Sequence, residues 1–103
     1  MRRYAVRVGP QAELEIDERI EWWQERDPLR ARAIVNELEH AYGLIARFPE
    51  IGAPIKVRGT WSTTKRRLVL GRIGCLLFYE VNKETGRIYV IRFLHQRQRL
   101  PKL

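Results

Sequence analysis

Cysteine is nearly absent: Cys75 is the lone thiol in 103 residues, which rules out an internal disulfide. With only two histidines beside it, the chain also lacks the four-ligand set of a structural zinc site. The reading is a protein of a reducing compartment that closes its core by packing, with no metal and no cofactor. Long apolar runs are missing as well. None approaches the roughly 18 residues of a membrane-spanning helix, so a cytoplasmic location is expected. Acidic residues are scarce in one half only. Residues 1–50 hold eight Lys/Arg against ten Asp/Glu, a net −2, whereas residues 51–103 hold twelve against two, a net +10. An imbalance of that size points the second half at an acidic partner, which can be a nucleic acid, an acidic protein segment or a membrane surface.

What is present is enough for one core. Hydrophobic residues make up 45% of the chain, ten of the residues are aromatic, and the length fits a single domain spanning residues 1–103. Tyr4, Val6 and Val8 alternate with Ala5 and Arg7, the pattern of a half-buried strand. Gly9-Pro10 ends it and opens a helix, since proline costs nothing in the first helical turn. Ala12, Ile16, Ile20 and Trp23 mark its apolar stripe. Asp27-Pro28 repeats the start signal, with Asp27 as candidate N-cap. The second stripe runs through Ala31, Val35, Leu38, Tyr42 and Ile45, flanked by Ile34, Ala41 and Phe48, and Pro49 ends it. Two helices joined this tightly form an antiparallel hairpin.

From Glu50 to Thr64 the periodicity disappears, and the stretch reads as an irregular connection carrying Lys56, Arg58 and Trp61. Three strands follow, at Arg67 to Arg72, Cys75 to Asn82 and Arg87 to His95, joined by short glycine-containing turns. The expected architecture is therefore α+β: an N-terminal strand, a helical hairpin on one face of the sheet, and a three-stranded antiparallel meander. The middle strand is apolar at both parities, with Leu76 and Phe78 on one side and Leu77, Tyr79 and Val81 on the other. Both faces want cover. Two helices supply it for one face, which leaves a partner for the other.

Several segments are similar to one known family. Tyr4-Ala5-Val6-Arg7-Val8 with Pro10 and Ala12, and Leu44, Phe48, Pro49 and Gly52, mark the helical hairpin and its flanks. Arg67-Leu68-Val69-Leu70-Gly71-Arg72, Leu77-Phe78-Tyr79-Glu80-Val81 and the run from Ile88 to Arg97 are more specific. Together they resemble the RelE/ParE toxin superfamily of bacterial type II toxin-antitoxin systems along essentially the whole chain. The strand that ends in His95-Gln96-Arg97 looks more like ParE than RelE.

A RelE-like resemblance implies a metal-independent, ribosome-dependent mRNA endonuclease. It needs a base, an acid and cations for the phosphorane charge. His95 and Glu80 are the acid-base candidates, and Arg67, Arg92 and Arg97 the phosphate ligands. Gln96 stands where related nucleases place a Tyr or a second catalytic group, a departure from that pattern. Lys56 and Arg58 are candidates for the basic pair that RelE carries on its sheet. A ParE-like resemblance implies inhibition of DNA gyrase by binding, with no catalytic set, and assigns target contact to Arg92, Arg97 and Arg99.

Both likenesses imply a cognate antitoxin, ParD-like, whose acidic amphipathic segment folds on binding in a heterotetramer or larger complex. Trp22, Leu76, Phe78 and Arg67 are its expected contacts. A non-toxic basic nucleic-acid-binding module is the third reading, although the acidic helices do not form a helix-turn-helix reader. Each singled-out residue also has a purely structural reading. A histidine that ends a core strand is commonly a hydrogen-bonded structural residue, Trp23 fits the core stripe while Trp22 lies off it, and Cys75 reads as buried and inert.

Overall fold

A computed structural model of the protein describes residues 3–98. The chain runs β1 (Ala5–Val8), α1 (Pro10–Arg26), α2 (Pro28–Arg47), β2 (Ala53–Val57), β3 (Thr60–Leu70), β4 (Cys75–Asn82) and β5 (Arg87–His95). Both helices start on a proline, as the sequence predicts, and Asp27 alone separates them. Asp27 occupies the N-cap position of α2 without a side-chain cap bond; its backbone N–H instead closes α1 on the Trp23 carbonyl at 2.6 Å.

The strands form one five-stranded sheet in the order β1-β5-β4-β3-β2. β1 lies parallel to β5, and the other three pairs are antiparallel. This corrects the reading of residues 50–64 as irregular, because β2 and the first half of β3 lie there and the meander has four strands. A register shift between Pro54 and Lys56 breaks the alternation that would have disclosed β2. The turn between the strands is the second reason. Arg58 and Gly59 both take positive φ, 53° and 80°, as in a two-residue hairpin turn of type I′, yet the usual Asn-Gly or Asp-Gly pair is absent.

The helices cover one face. Ala12 and Ile16 of α1 and Ile34, Leu38, Ala41 and Ile45 of α2 pack against Leu70, Leu77, Tyr79, Val81, Ile88, Val90 and Phe93. The buried stripe of α2 is rotated from the expected one: Ile34 and Ala41 are buried, whereas Val35 is exposed. On the opposite face a smaller cluster of Leu76, Phe78 and Leu94 is closed by Ile55 and Ile91. A bulge in β5 between the Val90 and Arg92 pairings shifts its alternation, so that Ile88, Val90 and Phe93 join the helix-side cluster and Ile91 and Leu94 the other.

Tyr79 ties the sheet to the segment that enters β2. It is wholly buried, its hydroxyl donates to the Pro49 carbonyl at 2.8 Å, and it accepts the Gly52 N–H at 2.9 Å. A Cβ at Gly52 would lie 2.7 Å from that hydroxyl and 2.8 Å from the Arg67 carbonyl, so no larger residue fits. Arg66 completes the anchor by donating to the carbonyls of Glu50 and Gly52.

Candidate functional site

The charged side chains divide into those with intramolecular partners and those facing solvent. At the β1 side of the sheet, β1 stops at Val8 while β5 continues to His95, so the upper part of β5 has no neighbouring strand there. Glu15 of α1 fills that place. Its carboxylate accepts the Phe93 backbone N–H at 3.0 Å and three bonds from Arg92, Nε at 3.1 Å to each oxygen and Nη2 at 2.7 Å to one. The side chain of Glu15 is 12% exposed and that of Arg92 26%, so both ends of the pair are largely withdrawn from water. The hydrogen bond and charge of Glu15 raise the Arg92 pKa further above its ordinary value. Arg92 is thus engaged within the molecule through its Nε and Nη2.

His95 closes β5 opposite Cys75. Its Nδ1 accepts the Arg97 backbone N–H at 3.2 Å, and the His95 backbone N–H donates to the Gln98 side-chain oxygen at 2.6 Å. Desolvation, aided by the charges of Arg19 and Arg97, holds the imidazole pKa below its usual value. Both the lowered pKa and the Arg97 N–H on Nδ1 favour the neutral ring that carries its proton on Nε2. Glu80, the other acid-base candidate, lies elsewhere. It pairs with Tyr89 and Lys65 and accepts the Thr64 hydroxyl at 3.3 Å. Its row lies five residue steps along β4 from that of His95, about 16 Å at strand rise. The sheet does not bring the two together.

Arg67 lies between Ala53 and Phe78, and its Nε is buried with no hydrogen-bond partner among the described residues. Arg97 is exposed beyond the end of β5. Arg99 falls outside the described residues. Leu76 and Phe78 are only 7% and 2% exposed, with Ile55 and Ile91 packed against them, so the chain covers this part of its second face with its own side chains, while Val69 beside Leu76 stays exposed. Trp22 keeps 45% of its surface, standing edge-on to Trp23 with the Arg26 guanidinium 3.8 Å from its ring centre. With Leu14, Glu18 and Phe93 it lines an open groove of about 340 Å³ along α1. Cys75 is buried, its thiol directed at the Ile73 carbonyl and its pKa raised by desolvation, as expected of an unreactive thiol.

Sequence reasoning missed Glu15, Leu14 and the Tyr79 anchor. Glu15 and Arg92 are 77 residues apart, and neither position carries a local signal of the pairing. Leu14 lies off the core stripe of an amphipathic helix, and 52% exposure makes it a surface apolar residue with a neighbour in Trp22. That adjacency is the one signal that periodicity could have given. Among the described residues no cluster of His, Cys, Asp and Glu could hold a metal ion, and no helix is long and apolar enough to cross a membrane.

Two solved structures share the fold. The chain superposes on the RelBE2 toxin-antitoxin complex of Mycobacterium tuberculosis with a TM-score of 0.64 at 20% identity, covering 90% of this chain and 98% of that one. On the chromosomal ParDE system of P. aeruginosa the TM-score is 0.67 at 16% identity, covering 89% and 95%. No curated protein matches the sequence. A family described as ParE toxin of type II toxin-antitoxin system, parDE, matches residues 6–100, which takes in both helices and all of the strands but the first residue of β1. With that match across the whole fold, the chain belongs to the ParE toxin family.

Proposed function

We propose that this toxin acts by binding DNA gyrase and carries out no chemistry itself, and that a cognate antitoxin neutralises it. One observation carries the reading against a nuclease: His95 and Glu80 stand in rows about 16 Å apart, so neither assists the other at one scissile phosphate. A binder needs no such pair. It needs exposed charge, and Arg97 at the end of β5 provides it, whereas Arg92 is held by Glu15.

The antitoxin reading draws on two features. Leu14 and Trp22 are two exposed apolar side chains in a groove on α1 otherwise lined largely by polar residues, a footing for an amphipathic segment. The strand half of the chain, net +10, suits acidic residues in the same partner. Leu14→Glu with Trp22→Ala should weaken capture of the small acidic neighbour encoded beside the toxin by at least tenfold. Unchanged capture would remove the groove from the interface.

The deciding experiment follows DNA, RNA and protein synthesis after induction, beside a supercoiling assay with purified gyrase. The expected order is DNA damage and filamentation first and a later fall in translation, with supercoiling inhibited. If translation collapses within minutes and supercoiling is untouched, the toxin is RelE-like in action and the gyrase reading fails. His95→Ala sharpens the choice, since an efficient general acid or base contributes about 10²–10⁴-fold and its loss from a nuclease would abolish toxicity.

A further inference from the structure

The β2–β3 hairpin carries five cations and no acid: residues 51–70 include Lys56, Arg58, Lys65, Arg66 and Arg67 and not one Asp or Glu. Two of these are accounted for. The Arg66 guanidinium donates to the carbonyls of Glu50 and Gly52, and Arg67 lies along the sheet with its Nε buried. Lys56 and Arg58 are exposed and Lys65 half-buried, with Glu80 of β4 across from Lys65. Among them Trp61 is 63% exposed, the largest exposed aromatic surface among the described residues. Lys56, its cross-strand partner, holds its ammonium 5.0 Å from the ring centre.

The turn gives a second, independent observation. Arg58 sits at φ 53°, in the left-handed region that glycine and asparagine occupy cheaply and arginine does not. A strained backbone that presents a cation at the tip of an acid-free hairpin is a feature with a use. We propose that this hairpin is a contact for single-stranded nucleic acid, in which Trp61 stacks on an unpaired base and Lys56, Arg58 and Lys65 take the flanking phosphates.

An indole face accepts any base but only one that is out of the duplex stack, so the aromatic selects single strands while the cations supply affinity. An acidic peptide would satisfy the charge and leave Trp61 without a role. The contact does not depend on gyrase being the target, and its test contains no gyrase.

The full 103-residue chain is titrated with a fluorescein-labelled 15-nucleotide oligothymidylate, a duplex of the same length, and polyglutamate. The single strand should bind most tightly, with log K falling against log salt at a slope of about −2 for three phosphate contacts. Trp61→Ala should weaken binding by about tenfold or more. Arg58→Asn should weaken it several-fold while thermal stability is kept or raised, which separates lost contact from lost folding. Arg32→Asn removes the same charge from the exposed side of α2 and should leave affinity unchanged. The proposal is overturned if Trp61→Ala and Arg58→Asn bind like the parent, if Arg32→Asn weakens binding equally, or if duplex or polyglutamate binds as tightly as the single strand. A supercoiling assay on the same variants reads the gyrase reading separately.

Discussion

At the β1 side of the sheet a single carboxylate meets the donors that the short strand leaves behind, whereas at the β2 side no carboxylate occurs in twenty consecutive residues. Arg92 and Arg58 are the same residue type with opposite fates. Arg92 donates three bonds to Glu15 and is largely withdrawn from water, while Arg58 is exposed at the tip of a turn that its own backbone disfavours. The difference teaches that net charge does not locate a binding surface. Of the cations in the strand half of the chain, those with intramolecular acceptors hold the fold, and those without are available to a partner.

The largest expected effect comes from breaking the closed side. Glu15→Ala leaves Arg92 with no counter-charge and the Phe93 N–H with no acceptor. Loss of one partner of a well-buried pair costs about 3–5 kcal/mol; the partial exposure of Arg92 brings this to about 2–4 kcal/mol. For a chain of this size the melting temperature should fall by about 10–20 °C. Urea denaturation of Glu15→Ala and of the double variant Glu15→Ala/Arg92→Met checks the cause, since the double variant should recover much of the loss. Equal losses in both would mean that Glu15 acts through the backbone bond alone.

Next in size is the anchor that positions the open side. Tyr79→Phe removes one donor and one acceptor from a buried site and leaves the Pro49 carbonyl and the Gly52 N–H unpaired, at a cost of about 1–3 kcal/mol. Because Tyr79 holds the entry to β2, amide exchange should quicken in β2 more than in β5. A uniform increase would show that the anchor supports the whole sheet and has no special bearing on the hairpin.

Smaller still is the response to alkali. Burial, with Glu13 nearby, pushes the Tyr42 pKa up to about 12, and burial also raises that of Tyr79. A phenol whose folded pKa is raised contributes stability that is full below its unfolded value near 10 and is lost as pH rises through the folded value. Stability should fall between about pH 10 and 12, the window set by Tyr42. The two-unit shift sets a ceiling of about 2.7 kcal/mol, and screening at a partly exposed side chain reduces it to about 1 kcal/mol. Tyr42→Phe should flatten the upper part of that fall in a pH series of thermal melts. An unchanged profile would assign the loss to Tyr79 and to general charge repulsion.

How much of this was legible in the sequence follows from which interactions are local. β4 and β5 begin and end where their apolar runs do, and both helices begin on the prolines that announce them, because those signals lie within a few residues of the structure they set. The stripe of α2 was displaced at Val35, since periodicity fixes a helical face to within a residue and the sheet decides the rest. β2 was hidden by its bulge and by an arginine where a hairpin turn ordinarily has asparagine. At the candidate site, His95 at a strand end and the exposed Trp22 were visible from the pattern of types. The commitment of Arg92 and the self-closure over Leu76 and Phe78 were not, because both depend on residues distant in sequence, Glu15 for one and Ile55 for the other.

The smallest effect bears most directly on the contrast between Arg92 and Arg58. An L-residue in the left-handed region costs about 1–2 kcal/mol, and asparagine recovers part of that through its short polar side chain. At φ 53° and beside Gly59 at φ 80°, Arg58→Asn restores the Asn-Gly pair that type I′ hairpin turns favour. No salt bridge or side-chain hydrogen bond to Arg58 is found among the described residues, so no compensating interaction is lost. The variant should gain about 0.5–1 kcal/mol in urea denaturation, with the m-value unchanged. Arg92→Asn, the same exchange on the closed side, should lose stability. If Arg58→Asn is also destabilising, the guanidinium has an internal role at the hairpin, and the two arginines differ in degree and no longer in kind.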